Sequence, residues 1–195
     1  MKFHPQEQVG MSLEAFLAAG AEQPFELIEG EQLYRMPNYF THSYLIRWML
    51  DTIRAYLSGH NGGEAFQETT YVTGDSPDWV RGSRIPDIMV ITAERYREFR
   101  QRMPRLQPGP LRLVPDLTIE LVSPSEKPDE TAKKIAADLA NGVREVWVID
   151  MTTQAAQVHT PHGVTEIAPD GALSTPLLPA FALSLPDLFA ALDEV

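Results

Sequence analysis

Residues 117–122, LTIELV, constrain the fold more than any other stretch. A strand that alternates apolar and polar residues has one face in water, whereas a nearly continuous apolar run is covered on both faces. A second run, VWVI at 146–149, has the same character. Between and around them lie segments of helical periodicity. In 41–57, THSYLIRWMLDTIRAYL, Leu45, Ile46, Met49, Ile53, Tyr56 and Leu57 repeat at the helical spacing. Pro128 suits the first turn of a helix that Gly142 stops near residue 141. The order through the middle of the chain is helix, strand, strand, strand, helix, strand. An α/β fold follows, with a mixed central sheet between helices. Strands 85–92 and 117–122 are expected to be neighbours in it.

The flanks read as smaller pieces. Ser12 is placed to cap a short helix ending at Gly20, and FELIEGEQLYRM reads as a hairpin turning at Glu29-Gly30. Residues 65–73 are β-rich, GDSPDWVRGS is a polar loop, and AERYREFRQRM is a short basic helix. PRLQPGP is a Pro-rich connector. QAAQVHT and VTEIA are short strands ahead of the closing segment LPAFALSLPDLFAAL. With 195 residues, the whole of 1–195 is read as one domain.

Charge and composition narrow the function. The net charge is -11, which argues against a protein that coats nucleic acid through a general basic surface. Six of the 16 Lys and Arg lie between Arg95 and Arg112, as a solvated helix face or an anion-facing patch. The absence of cysteine excludes disulfides and thiolate metal sites, and is compatible with a reducing cytoplasm. The first residues, MKFHPQEQVG, have no apolar core of a signal peptide, and no run is long enough to span a bilayer.

Against this background two acids stand out. Asp87 leads the run RIPDIMVI, and Glu120 sits inside LTIELV. Alternation puts Asp116, Thr118, Glu120 and Val122 on one face of their strand, and Leu117, Ile119 and Leu121 on the other. An ionised carboxylate in such a place is costly unless it is paired or bound to a cation. Two readings stay open. Asp87 caps a loop and Glu120 pairs with an arginine; or the two together hold Mg²⁺, which takes hard oxygen ligands, keeps several waters and is often held by one or two carboxylates.

An ordered set of motifs then bears on the choice. Pro86-Asp87, ELVSPS at 120–125, a helix carrying Lys134, and GVREVWVID at 142–150 together resemble the Uma2 family, nucleases of the restriction-endonuclease-like PD-(D/E)XK superfamily. The likeness extends to FELIEGE at 25–31, to His42 and to LPAFALSL, and so covers nearly the whole chain. It implies a restriction-endonuclease-like fold with added N- and C-terminal hairpins, DNA as substrate, Mg²⁺ or Mn²⁺ held by Asp87 and Glu120, and a homodimer. The superfamily's strand lysine is replaced here by Val122; the resemblance implies that Lys134 takes its role and that His42 lends a site residue from the first long helix. Glu26 and Glu29 are weaker candidates, and Lys133 ranks behind Lys134. Where family members often carry Tyr, this chain has Asp138. By spacing alone, Glu130, Lys134 and Asp138 also fit an exposed i, i+4 ladder. Three functions remain in view: a metal-dependent DNA endonuclease, a binding or scaffold module that kept the fold without the chemistry, and a hydrolase of another phosphate ester. For the homodimer, Phe25, Leu33, Tyr34, Phe181 and Phe189 are the candidate contacts.

Overall fold

A computed structural model of the chain describes residues 9–37, 39–60, 63–74, 76–103, 109–123 and 126–194. The central sheet has six strands, in the order Gly163–Ile167, Ala156–Thr160, Glu145–Asp150, Leu117–Val122, Ile88–Thr92, Gly63–Gln67. Only the Glu145–Asp150 and Leu117–Val122 pair is parallel; the others are antiparallel, so the sheet is mixed as expected. The expected neighbours pair directly, with Ile88 opposite Ile119 and Val90 opposite Leu117.

Helices α1 (Leu13–Glu22), α2 (Phe40–Gly59), α3 (Ala93–Arg102), α4 (Pro128–Ala140) and α5 (Leu185–Ala190) surround the strands. Ser12 caps α1, its hydroxyl accepting from the Ala15 N–H at 3.2 Å. The helix continues past Gly20 to Glu22, because a glycine weakens a helix without ending it. α2 lays Leu45, Ile46, Met49 and Ile53 on one face of the sheet, against Leu117, Ile119, Leu121 and Trp147. The Ala172–Thr175 and Leu178–Ser184 hairpin and α5 complete that core with Leu173, Leu183, Leu185 and Leu188. On the other face, Ile135 and Leu139 of α4 cover Val146 and Val148. Full burial of each such side chain is worth about 1.5–3 kcal/mol, which fixes the order of layers. The continuous apolar runs are thus the strands with a helix on either side.

A second sheet of four strands lies beside the first, in the order Glu31–Tyr34, Phe25–Ile28, Gly82–Arg84, Tyr71–Thr73. Its hairpin turns where expected, with Glu29 at φ 53° and Gly30 at φ 86°. Two successive left-handed residues suit a tight hairpin turn. The β-rich stretch 65–73 falls in two strands of two sheets, Gly63–Gln67 and Tyr71–Thr73, broken at Glu68, whose φ of 43° turns the chain. The polar loop contains two short strands: Trp79–Val80 pairs with Met11–Ser12, and Gly82–Arg84 joins the second sheet. Part of the PRLQPGP connector, residues 104–108, lies outside the described residues.

Three of the aromatic residues expected at a dimer contact serve the core instead: Phe25, Phe181 and Phe189 are buried, each packed in an apolar cluster. Tyr34 is exposed and Leu33 half-buried. Among the described residues, no helix is long and apolar enough to cross a membrane.

Candidate active site

The site forms where the chain passes from the second sheet to the central one. Gly82–Arg84 belongs to the four-stranded sheet, Ile88–Thr92 to the central one, and Ile85-Pro86-Asp87 bridges them. This short bridge puts the side chains of Arg84 and Asp87 beside Glu120 in the middle of Leu117–Val122. α4 lies above, and the N-terminal turn of α2 lies at the edge.

Asp87 is buried and tightly held. Its Oδ2 accepts the Leu121 N–H at 2.8 Å and lies 3.3 Å from His42 Nε2; its Oδ1 accepts from Arg35 Nη2 at 3.0 Å. Burial alone would raise its pKa, but the His42 contact, the Arg35 charge and the Leu121 N–H outweigh it, and the pKa falls below the ordinary carboxylate value. Asp87 is therefore ionised. His42 falls on the sheet-facing stripe of α2, as its spacing predicts, and is buried. Its Nε2 lies 2.9 Å from the Leu121 carbonyl oxygen. A carbonyl only accepts, so Nε2 carries the proton. Burial pulls the His42 pKa down, but Asp87 and that carbonyl more than offset it, and the net direction is upward. Its Nδ1 is buried with no hydrogen-bond partner among the described residues.

Glu120 belongs to a second, adjoining cluster built around Arg84. This guanidinium is fully buried. It contacts Glu26, reaches Glu120 Oε1 from Nη2 at 2.7 Å, and reaches Asp138 Oδ1 from Nε at 2.9 Å. Glu26 Oε1 also accepts the Ile85 N–H at 2.7 Å. Asp138 accepts from Tyr71 Oη at 2.5 Å and from Thr118 Oγ1 at 2.8 Å. Lys134, half-buried one turn before Asp138 on α4, places Nζ 3.6 Å from Glu26 Oε2 and 4.0 Å from Glu120 Oε2. Burial lowers the lysine pKa, but Glu120 and Glu26 outweigh it, so Lys134 stays protonated.

The structure therefore brings Asp87, Glu120, Lys134 and His42 together where Ile88–Thr92 begins beside Leu117–Val122. Lys134 faces inward; Lys133 points away and pairs with Glu31 at 2.8 Å on the surface. The exposed ladder does not form, since Asp138 is fully buried and its partners are Arg84, Tyr71 and Thr118. Glu120 does pair with an arginine, as one reading of the sequence had it. Its Oε2 is left facing Lys134. The hub itself, Arg84, escaped the sequence reading, as did Arg35 and Tyr71. The available signal was RIPD: an arginine next to a buried strand entrance, in a chain with several buried acids to satisfy.

The charge balance bears on a metal. Asp87, Glu120, Glu26 and Asp138 face Arg84, Lys134, Arg35 and the His42 imidazole, whose pKa is raised beside Asp87. The strain of burial is felt at Glu120. Burial first, then the charges of Asp87 and Glu26, push its pKa up to about 7 against the pull of Arg84 and Lys134. Among the described residues, no group of three or more His, Cys, Asp or Glu is arranged to hold an ion. A donor set of two carboxylates fits Mg²⁺, which keeps several waters, and a divalent charge relieves the repulsion between Asp87 and Glu120. The basic run of α3 is elsewhere. It follows the far end of Ile88–Thr92 from Asp87, and its Arg95 pairs with buried Asp116 at 3.0 Å.

A sequence model of the family Uma2, described as "Putative restriction endonuclease", matches residues 12–186. The chain belongs to the Uma2 family. Among solved structures, this Uma2 protein is similar to one from Anabaena variabilis ATCC 29413, titled a "putative nuclease belonging to DUF820". The two are 27% identical, the likeness covers 93% of this chain and 99% of that one, and the TM-score is 0.74. No curated protein matches this Uma2 chain.

Proposed function

We propose that this protein is a metal-dependent endonuclease that hydrolyses DNA phosphodiester bonds, with Asp87 and Glu120 as ligands for Mg²⁺ or Mn²⁺. The observation that carries the reading is the meeting of two buried carboxylates, Asp87 and Glu120, beside a lysine that stays protonated. When bound, the ion supplies Lewis-acid polarisation of a phosphate oxygen and acidifies water. Asp87 is kept ionised for ligation by Arg35, His42 and the Leu121 N–H. His42 acts as a positioning residue, since its Nε2–H reaches Asp87 and the Leu121 carbonyl. Lys134, too basic to remove a proton at neutral pH, donates to the oxygen that gains negative charge as the phosphorus is attacked. Val122 leaves that place open on the strand, and α4 fills it from above. The proposal includes a cytoplasmic setting and a homodimer, for which Tyr34 is the exposed member of the expected aromatic set.

A second reading has its own support. Both acids already have an arginine partner, Arg35 for Asp87 and Arg84 for Glu120. That arrangement also suits a nuclease-fold binding module without chemistry. Supercoiled plasmid separates the two. We expect nicking that requires Mg²⁺ or Mn²⁺, stops with EDTA and is absent in Asp87→Ala. A folded wild-type protein that leaves plasmid, linear DNA and RNA intact under both ions supports the binding module.

A further inference from the structure

Beside the site lies a cavity of about 680 Å³ whose wall includes Phe16, Leu17, Pro24, Phe25, Met36 and Pro37. Its size and apolar lining suit a molecule of nucleoside dimensions. Arg35 forms part of the same wall, and its guanidinium is 3.0 Å from Asp87. Arg35 is therefore the wall between the cavity and the acid proposed to hold the metal. Thr69, Thr70 and Glu68, the last 3.6 Å from Arg35, add polar groups to an otherwise greasy surface.

Beyond Met36 of that wall, the chain exposes large aromatic side chains. Met36, Tyr39 and Phe40 are 80%, 77% and 71% exposed, and they sit on the connector and first turn of the helix that carries His42. The Phe40 ring lies 6.2 Å from that of Tyr44, and the Arg47 guanidinium lies 5.1 Å over Tyr44. Exposed aromatic rings in a row with a stacked arginine form a platform for planar π systems. With a net charge of -11, the protein is poorly suited to track the phosphates of a duplex. Stacking on aromatic rings needs no such neutralisation. In a duplex, however, the base faces are already stacked, and a base reaches a recessed cavity only by leaving its partner.

We infer that the substrate strand is unpaired where it meets this site: one base enters the cavity beside Arg35, and its neighbours stack on Tyr39 and Phe40. This rests on the nuclease reading and names its substrate class as single-stranded or locally unpaired nucleic acid.

The test uses one labelled sequence as a single strand, as a duplex and as a duplex with a central bubble, cut by the full chain with Mn²⁺. The single strand and bubble should be cut at least about tenfold faster than the duplex, the cost of unpairing falling on the duplex alone. Leu17→Glu, at a half-exposed wall position, and Phe40→Ala should each collapse that preference. In parallel, 2-aminopurine in a single strand reports binding to the non-cutting Asp87→Ala protein; its fluorescence should change on binding and lose that change when Leu17→Glu is added. Equal cutting of all three substrates, with no response to either variant, overturns the inference while the nuclease reading stands. If the wild type cuts nothing, the nuclease reading fails and the 2-aminopurine signal alone decides: a change removed by Leu17→Glu keeps the unpaired-base cavity in a binding module, and no change overturns it. Light scattering that shows either variant turning a dimer into a monomer assigns the face to a second copy of the chain and overturns the inference.

Discussion

Arg84→Met destabilises the protein by about 3–5 kcal/mol, the range for breaking a buried ion cluster by removing one partner. The reason is specific. Arg84 is the cation that Glu26, Glu120 and Asp138 share, and all four are buried. Without it, three acids face one half-buried lysine. The loss depends on pH, and its sign follows from Glu120. Its folded pKa, about 7, lies above the ordinary 4.5. A carboxyl with a raised folded pKa contributes stability that is fully present below the unfolded value and is lost as pH rises through the folded one. Wild-type stability therefore falls between about pH 4.5 and 7 from this group. Arg84 holds the Glu120 pKa down, so its removal moves the folded value higher and deepens the loss. Urea denaturation should show Arg84→Met closest to wild type near pH 5 and furthest from it near pH 8. An equal deficit at both pH values would show that lost packing, not unpaired charge, is the cost.

Lys134→Ala is the second large effect. The lysine is held between Glu26 and Glu120 and remains protonated. Its proposed work is to stabilise charge that develops during attack, and losing one such donor typically costs about 10²–10³ in kcat. The substitution leaves both carboxylates in place, so metal binding survives while cleavage is lost. Lys133→Ala is the control, since that side chain pairs with Glu31 on the surface. Similar losses in both variants would assign the effect to the general charge of α4.

The contrast between these two residues shows what was legible in the sequence. Lys134 was readable because helical spacing separates it from Lys133 and because its motif carries a family likeness. The strands at 117–122 and 145–150, α2 and α4 were readable for a similar local reason: apolar periodicity and a proline or glycine boundary. The turn at Glu29-Gly30 was readable from its glycine. Arg84 was not. Its partners lie 58, 36 and 54 residues away, and only the meeting of two sheets brings them together. The alternative of Asp138 as a rung of an exposed ladder stayed open for the same reason, since nothing local shows that Tyr71, Thr118 and Arg84 await it. The split of 65–73 into two strands was hidden as well, because it depends on Glu68 in a left-handed conformation that sequence assigns to glycine or asparagine first. Aromatic character alone does not separate core rings from surface ones, and Phe25, Phe181 and Phe189 are buried.

The most direct measurement is the Mn²⁺-induced change in melting temperature of the wild type and of Glu120→Gln, followed by differential scanning calorimetry. An ion that binds only the folded state raises the melting temperature by mass action. The amide of Glu120→Gln is nearly isosteric, and its oxygen still accepts from Arg84, so the fold is kept while a charged ligand is lost. We expect a concentration-dependent rise in the wild type and none in Glu120→Gln. An equal rise in both proteins would place the ion elsewhere and leave Glu120 as a structural partner of Arg84.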